Sequence, residues 1–213
     1  MRTLSLVSQK GGAGKTTLSI HLAVAAHLAG LSAAIVDLDP QASAWKWSKR
    51  RDAEPYAATA TAEQLEDVQA RARAGGLDLL IVDSAPHADR PAIIACRAAD
   101  FILVPCKPSI MDVDAIAATL DITAFAKRPC AVVLNDCNTT TDADLAGTRG
   151  ALTDRGVPLY GGALYHRVGF SRPLSGGLCA QEGEPGGRAV QEIDALFAWT
   201  MGELGLELPR AAA

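Results

Sequence analysis

Short apolar runs alternate along the chain with longer stretches in which apolar residues recur every three or four positions. The runs are Thr3–Val7, Ala33–Val36, Leu79–Val82, Phe101–Val104 and Ala131–Leu134, with a weaker one over Leu159–Leu164. The first five are almost continuously apolar, the pattern of strands buried on both faces. Between them, Lys15–Ala29, Ala62–Ala74, Pro91–Ala98, Val113–Phe125 and Asp142–Arg155 carry helical patterning. A last helix over Ala189–Leu204 sets Val190, Ile193, Phe197, Met201 and Leu204 on one face, which should dock on the sheet. Regular alternation of strand and helix predicts an α/β fold. The sheet is doubly wound, mostly parallel and of about six to eight strands, with helices on both faces and right-handed crossovers. Arg51–Thr61 reads as a loop with room for a short extra strand. A single domain over 1–208 is expected, followed by a disordered tail at 209–213.

Composition sharpens this. In 213 residues, 49% are hydrophobic, enough for a substantial core in one domain. The formal net charge of −4 excludes nucleic-acid binding by bulk charge, so any such contact must come from a local basic patch. Cys96, Cys106, Cys130, Cys137 and Cys179 form no C-x-x-C pair and have few histidines near them. They read as reduced thiols of a cytosolic protein rather than zinc ligands. Met1–Val7 is too short for a secretory signal, and no apolar run approaches a bilayer span. The expected location is cytoplasmic.

The strongest chemical signal is Lys10-Gly11-Gly12-Ala13-Gly14-Lys15-Thr16-Thr17, between a predicted strand and a predicted helix. Glycines let backbone N–H groups turn onto phosphate oxygens, and the helix N-terminus adds favourable charge. Lys15 would reach the β- and γ-phosphates of ATP, and the Thr16 hydroxyl would ligate Mg²⁺. Asp37 and Asp39 stand two apart at the end of the second strand, so they point the same way, unless one caps the helix that Pro40 should begin. Leu79–Asp83 is an apolar strand ending in a carboxylate, a Walker B pattern in which Asp83 holds the metal through water. The Asn135 amide can both donate to and accept from a purine edge. His87 is declined as a base, since a loop histidine is more often a bystander than a catalyst.

The loop has Gln9 where the usual pattern starts with glycine, and a second lysine at Lys10. This K-G-G-x-G-K-T-T form resembles the deviant Walker A group of P-loop proteins, which includes the ParA and MinD ATPases. The resemblance extends to Val36-Asp37-Leu38-Asp39-Pro40-Gln41, to Pro105 through Asp112, to Val133-Leu134-Asn135 and, more loosely, to Arg167–Glu192. It implies that Lys10 crosses a dimer interface to the partner's nucleotide, as an arginine finger does. It implies that Asp39 orients the attacking water and Asp37 supports the metal shell. Ser84–His87 becomes a switch loop, Asn135 an adenine contact, and the backbone at Glu184–Gly186, with Pro185, a lining for the base.

By the same resemblance the chain is a short-form partition or positioning ATPase without an N-terminal helix-turn-helix. ATP joins two copies, the dimer binds nonspecific DNA and so the nucleoid, and a ParB-like or other cargo-adaptor protein stimulates hydrolysis. Candidate DNA contacts are Lys46, Lys49, Arg50, Arg51, Arg167, Arg172 and Arg188, with Trp45 and Trp47 beside the first of them. The alternatives are a MinD-like membrane-surface switch, a small-molecule ligase or kinase, and an iron–sulfur reductase relative. Gly205–Arg210 contains proline and too few basic residues for a membrane helix, so no membrane partner is expected. No substrate pocket is named by the residues, and the cysteines do not lie in cluster-bridging positions.

Overall fold

The computed structural model describes residues 1–86, 89–138 and 142–209, and within them seven strands form one sheet. They are β1 (Arg2–Leu6), β2 (Ala33–Asp37), β3 (Tyr56–Thr59), β4 (Leu79–Asp83), β5 (Phe101–Cys106), β6 (Cys130–Cys137) and β7 (Leu159–Tyr165). Their spatial order is β3-β2-β4-β1-β5-β6-β7, and every adjacent pair is parallel. The helices are α1 (Lys15–Leu28), α2 (Ser43–Ser48), α3 (Leu65–Ala74), α4 (Asp89–Ala98), α5 (Ile110–Ala126), α6 (Asp142–Thr153), α7 (Val168–Ser171), α8 (Ala180–Gly183) and α9 (Arg188–Leu204).

The continuous apolar runs follow from burial on both faces. Leu79 and Ile81 point into a core with α1, α2, α8 and α9, whereas Leu80 and Val82 point into the opposite core with α3 to α6. On α9, Ile193, Phe197, Met201 and Leu204 are buried in the first of these cores, and Val190 packs at its edge. Ala62–Ala74 divides into a 3-10 turn, Ala62–Gln64, and α3. The extra strand in the Arg51–Thr61 loop is real: β3 pairs with β2 at the sheet edge. Pro40 does not start a helix; α2 begins only at Ser43. Residues 210–213 of the expected disordered tail lie outside the described residues.

This topology places the chemistry. The chain leaves β1 toward β2 on one side, then crosses from β4 to β5 on the other. A crevice opens where the winding reverses, beyond the carboxyl end of β1. Asp37 and Asp83 are register partners on adjacent strand ends beside that crevice.

Candidate nucleotide site

The segment after β1 turns through positive φ at Gly12 (72°) and Gly14 (99°), and α1 starts directly after Gly14. Gly14 is needed twice over. Its φ lies where a side chain is strained, and a Cβ there would stand 2.1 Å from Asn135 Nδ2. Asn135 closes over the loop instead, donating from Nδ2 to the Ala13 carbonyl at 2.8 Å. Lys15 is only 7% exposed, and its Nζ donates to the Ser8 carbonyl at 3.0 Å and, more weakly, to the Lys10 carbonyl at 3.5 Å. Burial lowers its pKa, while the charges of Asp83 and Asp39 work to restore it. Gly11, Gly12, Gly14, Lys15, Thr16 and Thr17 line a cavity of about 240 Å³ whose other walls include Asp39 and Pro86.

The three carboxylates have separate environments. Asp83 is fully buried, and neither of its oxygens closes a hydrogen bond. Burial pushes its carboxyl up to about 7; the nearby Thr16 hydroxyl and Lys15 draw it partly back, against the like charges of Asp37 and Asp39. A buried, unpartnered carboxylate next to a hydroxyl is the donor set a hard divalent cation takes, so Asp83 and Thr16 fit Mg²⁺. Asp37 is tied into the turn that follows β2. Its Oδ1 accepts from Asp39 N at 3.0 Å, and its Oδ2 from Ala44 N at 2.9 Å and Trp45 N at 3.2 Å. Those bonds shape the β2–α2 turn and cap α2. Asp39 Oδ1 accepts from Gln41 N at 2.9 Å and the residue stays on the cavity wall.

A second cavity, of about 260 Å³, shares Gly12, Gly14 and Thr17 with the first and continues past Asn135 and Asp136 to Tyr165, His166, Arg167, Phe170 and Ser171. Pro185, expected at the base, is exposed and does not line it; the end of β7 and α7 occupy that wall. Arg167 Nε donates to Glu192 Oε1 at 2.7 Å. Asp136, at φ 56°, holds Lys107 Nζ at 2.7 Å on one oxygen and His166 Nδ1 at 2.6 Å on the other. Nothing in the sequence marked Asp136 or His166, since neither falls in a motif. Phe170 and Arg167 did fall in one, without a role in the base pocket.

Lys10 forms an ion pair with Asp112 of its own chain, and the Ser109 hydroxyl also donates to Asp112. Ser84 is buried and donates to the Leu6 carbonyl at 2.8 Å, tying the start of the switch loop to β1. His87 lies outside the described residues. Of the seven basic residues singled out for DNA, two are otherwise engaged. Arg51, its side chain 4% exposed, grips Glu182 through both terminal nitrogens and also donates to the carbonyls of Ala53, Glu54 and Gly177. Arg167 is the partner of Glu192. Lys46, Lys49, Arg50, Arg172 and Arg188 remain exposed. Trp47 is buried with its Nε1 on the Leu178 carbonyl, so it faces inward. No helix among the described residues is long and apolar enough to cross a membrane.

Comparison with known proteins agrees with this geometry. Residues 4–178 match the family described as the CobQ/CobB/MinD/ParA nucleotide binding domain. The chain is 29% identical over 212 residues to the maintenance of carboxysome distribution protein A of Halothiobacillus neapolitanus, covering 92% of this chain and 94% of that one. It is 25% identical over 202 residues to the protein ParA of Rhizobium radiobacter, covering 89% and 90%. Among solved structures, the septum site-determining protein MinD of Pyrococcus horikoshii, complexed with Mg-ADP, superposes with a TM-score of 0.78 at 19% identity, over 93% of this chain and 95% of that one. Apo McdA of Cyanthece superposes with a TM-score of 0.77 at 18% identity, over 95% and 100%. At those identities the superpositions establish a shared fold.

Proposed function

The chain belongs to the CobQ/CobB/MinD/ParA nucleotide-binding family and is one of its ATPases; from that premise we propose that it is an ATP-driven dimerisation switch that positions an intracellular cargo. The observation that carries the reading is the buried Asp83, with both oxygens unpartnered, in the cavity region of Lys15 and Thr16.

The backbone N–H groups of Gly11 to Thr16 and the first turn of α1 receive the β- and γ-phosphates. Lys15 exchanges the Ser8 carbonyl for phosphate oxygens. Thr16 and Asp83 are the residues that would hold Mg²⁺, which when bound offsets phosphate charge and the buried carboxylate together. Asp39, on the wall of the same cavity, orients the attacking water. Asn135 keeps the loop in shape from above. Lys10 leaves Asp112 to neutralise the nucleotide of a second copy, so that joining two chains and completing the site are one event.

Exposed Lys46, Lys49 and Arg50 at the end of α2, with Arg172 and Arg188, are the surface for nonspecific DNA and nucleoid association; Arg51 and Arg167 are not part of it. A partner protein bound to the cargo would stimulate hydrolysis and release the dimer. The relative in Halothiobacillus neapolitanus is named for carboxysome distribution and that in Rhizobium radiobacter is a ParA, so the cargo class here is a protein assembly or a DNA replicon.

Light scattering of Asp39→Ala with ATP and Mg²⁺ tests the switch. The variant should accumulate as a dimer that hydrolyses slowly, and adding Lys10→Ala should return it to monomer. An ATP-bound Asp39→Ala that stays monomeric would defeat the proposal.

A further inference from the structure

The segment leading into the phosphate-binding turn is held from outside at Gln9. Its backbone N–H donates to the Thr119 hydroxyl of α5 at 3.1 Å, and Thr119 is buried. Its side-chain Nε2 donates at 3.0 Å to Oδ1 of Asp89, the first residue of α4. A carboxylate only accepts, so the amide presents its NH₂ group to Asp89. Glycine at position 9 could make the first bond but not the second. One residue thus ties the loop to α4 and α5, which pack beside each other on one face of the sheet. Each helix bears on the switch. α5 carries Asp112, which holds Lys10 within this chain. α4 follows shortly after Pro86, a wall of the phosphate cavity. The near end of that connection is already fixed, since Ser84 donates to the Leu6 carbonyl. The loop residues lining the two cavities start at Gly11 and Gly12, beyond both Gln9 and Lys10.

We propose that Gln9 is a positioning residue. By joining Asp89 and Thr119 to the backbone immediately before Lys10, it fixes the direction from which Lys10 reaches a second copy. It thereby sets ATP-dependent dimerisation and turnover without touching the nucleotide. The inference rests on the switch reading above and adds to it a residue outside the phosphate contacts. Lys10 must leave Asp112 and cross to the other chain; a loose backbone spreads its ammonium over positions that miss the phosphates there. The Gln9–Asp89 bond is open to solvent, so its loss changes the equilibrium by a modest factor.

Three measurements on the full chain test this: ADP affinity by calorimetry, the ATP-dependent monomer–dimer equilibrium by light scattering, and phosphate release at saturating ATP. Gln9→Glu removes the donor and faces Asp89 with a second carboxylate. Dimer affinity and turnover should each fall about fivefold, while ADP affinity stays within about twofold of wild type. Combining Gln9→Glu with Asp89→Asn exchanges donor and acceptor, and most of the loss should be recovered. Combining it instead with Asp89→Ala removes the repulsion without supplying a donor, and should recover little. Four results would each overturn the positioning role and leave the switch standing: Gln9→Glu behaving as wild type, no recovery with Asp89→Asn, equal recovery with Asp89→Ala, or ADP affinity falling as far as turnover. Wild type that stays monomeric with ATP overturns both.

Discussion

Asp83 lends itself to a quantitative test, because its burial has a cost that proton concentration can tune. A carboxyl pushed from 3.8 up to about 7 costs the fold about 4 kcal/mol when ionised, at roughly 1.4 kcal/mol per tenfold change in proton affinity. Between those pH values the folded chain keeps a proton that the unfolded chain has lost. Stability therefore falls as pH rises from about 4, and the full cost is present above about 7. His21 acts in the opposite sense. Burial pushes it down from 6.5 to about 4, so the unfolded chain binds the extra proton and stability rises across that interval. The wild-type profile mixes the two, but the difference between wild type and Asp83→Asn isolates Asp83. The asparagine amide would still lack partners, which returns about 1–3 kcal/mol of the gain. Ligand-free Asp83→Asn should thus be about 1–3 kcal/mol more stable than wild type at pH 8 and no more stable than wild type at pH 5. Urea unfolding followed by circular dichroism, with m unchanged, measures this. Adding Mg²⁺ and ADP should stabilise wild type and not the variant. A difference that stays flat from pH 5 to pH 8, or an Asp83→Asn that is the weaker at pH 8, would show that the carboxylate is not an uncompensated buried charge.

Two further outcomes are expected. Gly14→Ala combines a strained φ of 99° with a Cβ 2.1 Å from Asn135 Nδ2, so calorimetry should show ADP affinity at least about tenfold weaker, reflecting strain of roughly 1–3 kcal/mol; Gly14→Ala with Asn135→Gly should recover only part, and full recovery would deny the backbone strain. Arg51→Ala should lower stability by about 3 kcal/mol by stranding Glu182, whereas Arg50→Ala should unfold at the wild-type urea concentration and weaken salt-sensitive DNA retention; the reverse pattern would put Arg51 on the surface.

The parts of the fold legible in the sequence are those where burial and chemistry coincide. Six strands read as apolar runs because each presents side chains to two cores, and the Gly11–Thr16 loop announced itself by glycine spacing. β3 did not, because Tyr56–Thr59 sits at an edge and is largely exposed, leaving no apolar run to see. By spacing alone Asp37 and Asp39 point the same way, and only the turn into α2 shows that Asp37 accepts from three backbone N–H groups while Asp39 lies on the cavity wall. Asn135 was visible as a polar residue at a strand end, but the direction of its amide depends on Ala13, 122 residues away. The cavity beside the loop was not legible either: its far wall depends on where β7 delivers Tyr165 to Arg167. Arg51 reads as one of a basic run, and nothing local reveals that Glu182 waits for it.

The bond from Asn135 to Ala13 has a consequence for the order in which the molecule matures. Residues 10–17 are synthesised well before the clamp that holds their turn, which belongs to a strand made 122 residues later, and β1 itself is flanked by β4 and β5. Contacts so distant along the chain form late. A nascent chain that has not yet delivered β6 therefore carries the whole phosphate-binding motif without its clamp, and competence to take up nucleotide arrives with tertiary assembly rather than with translation of the motif.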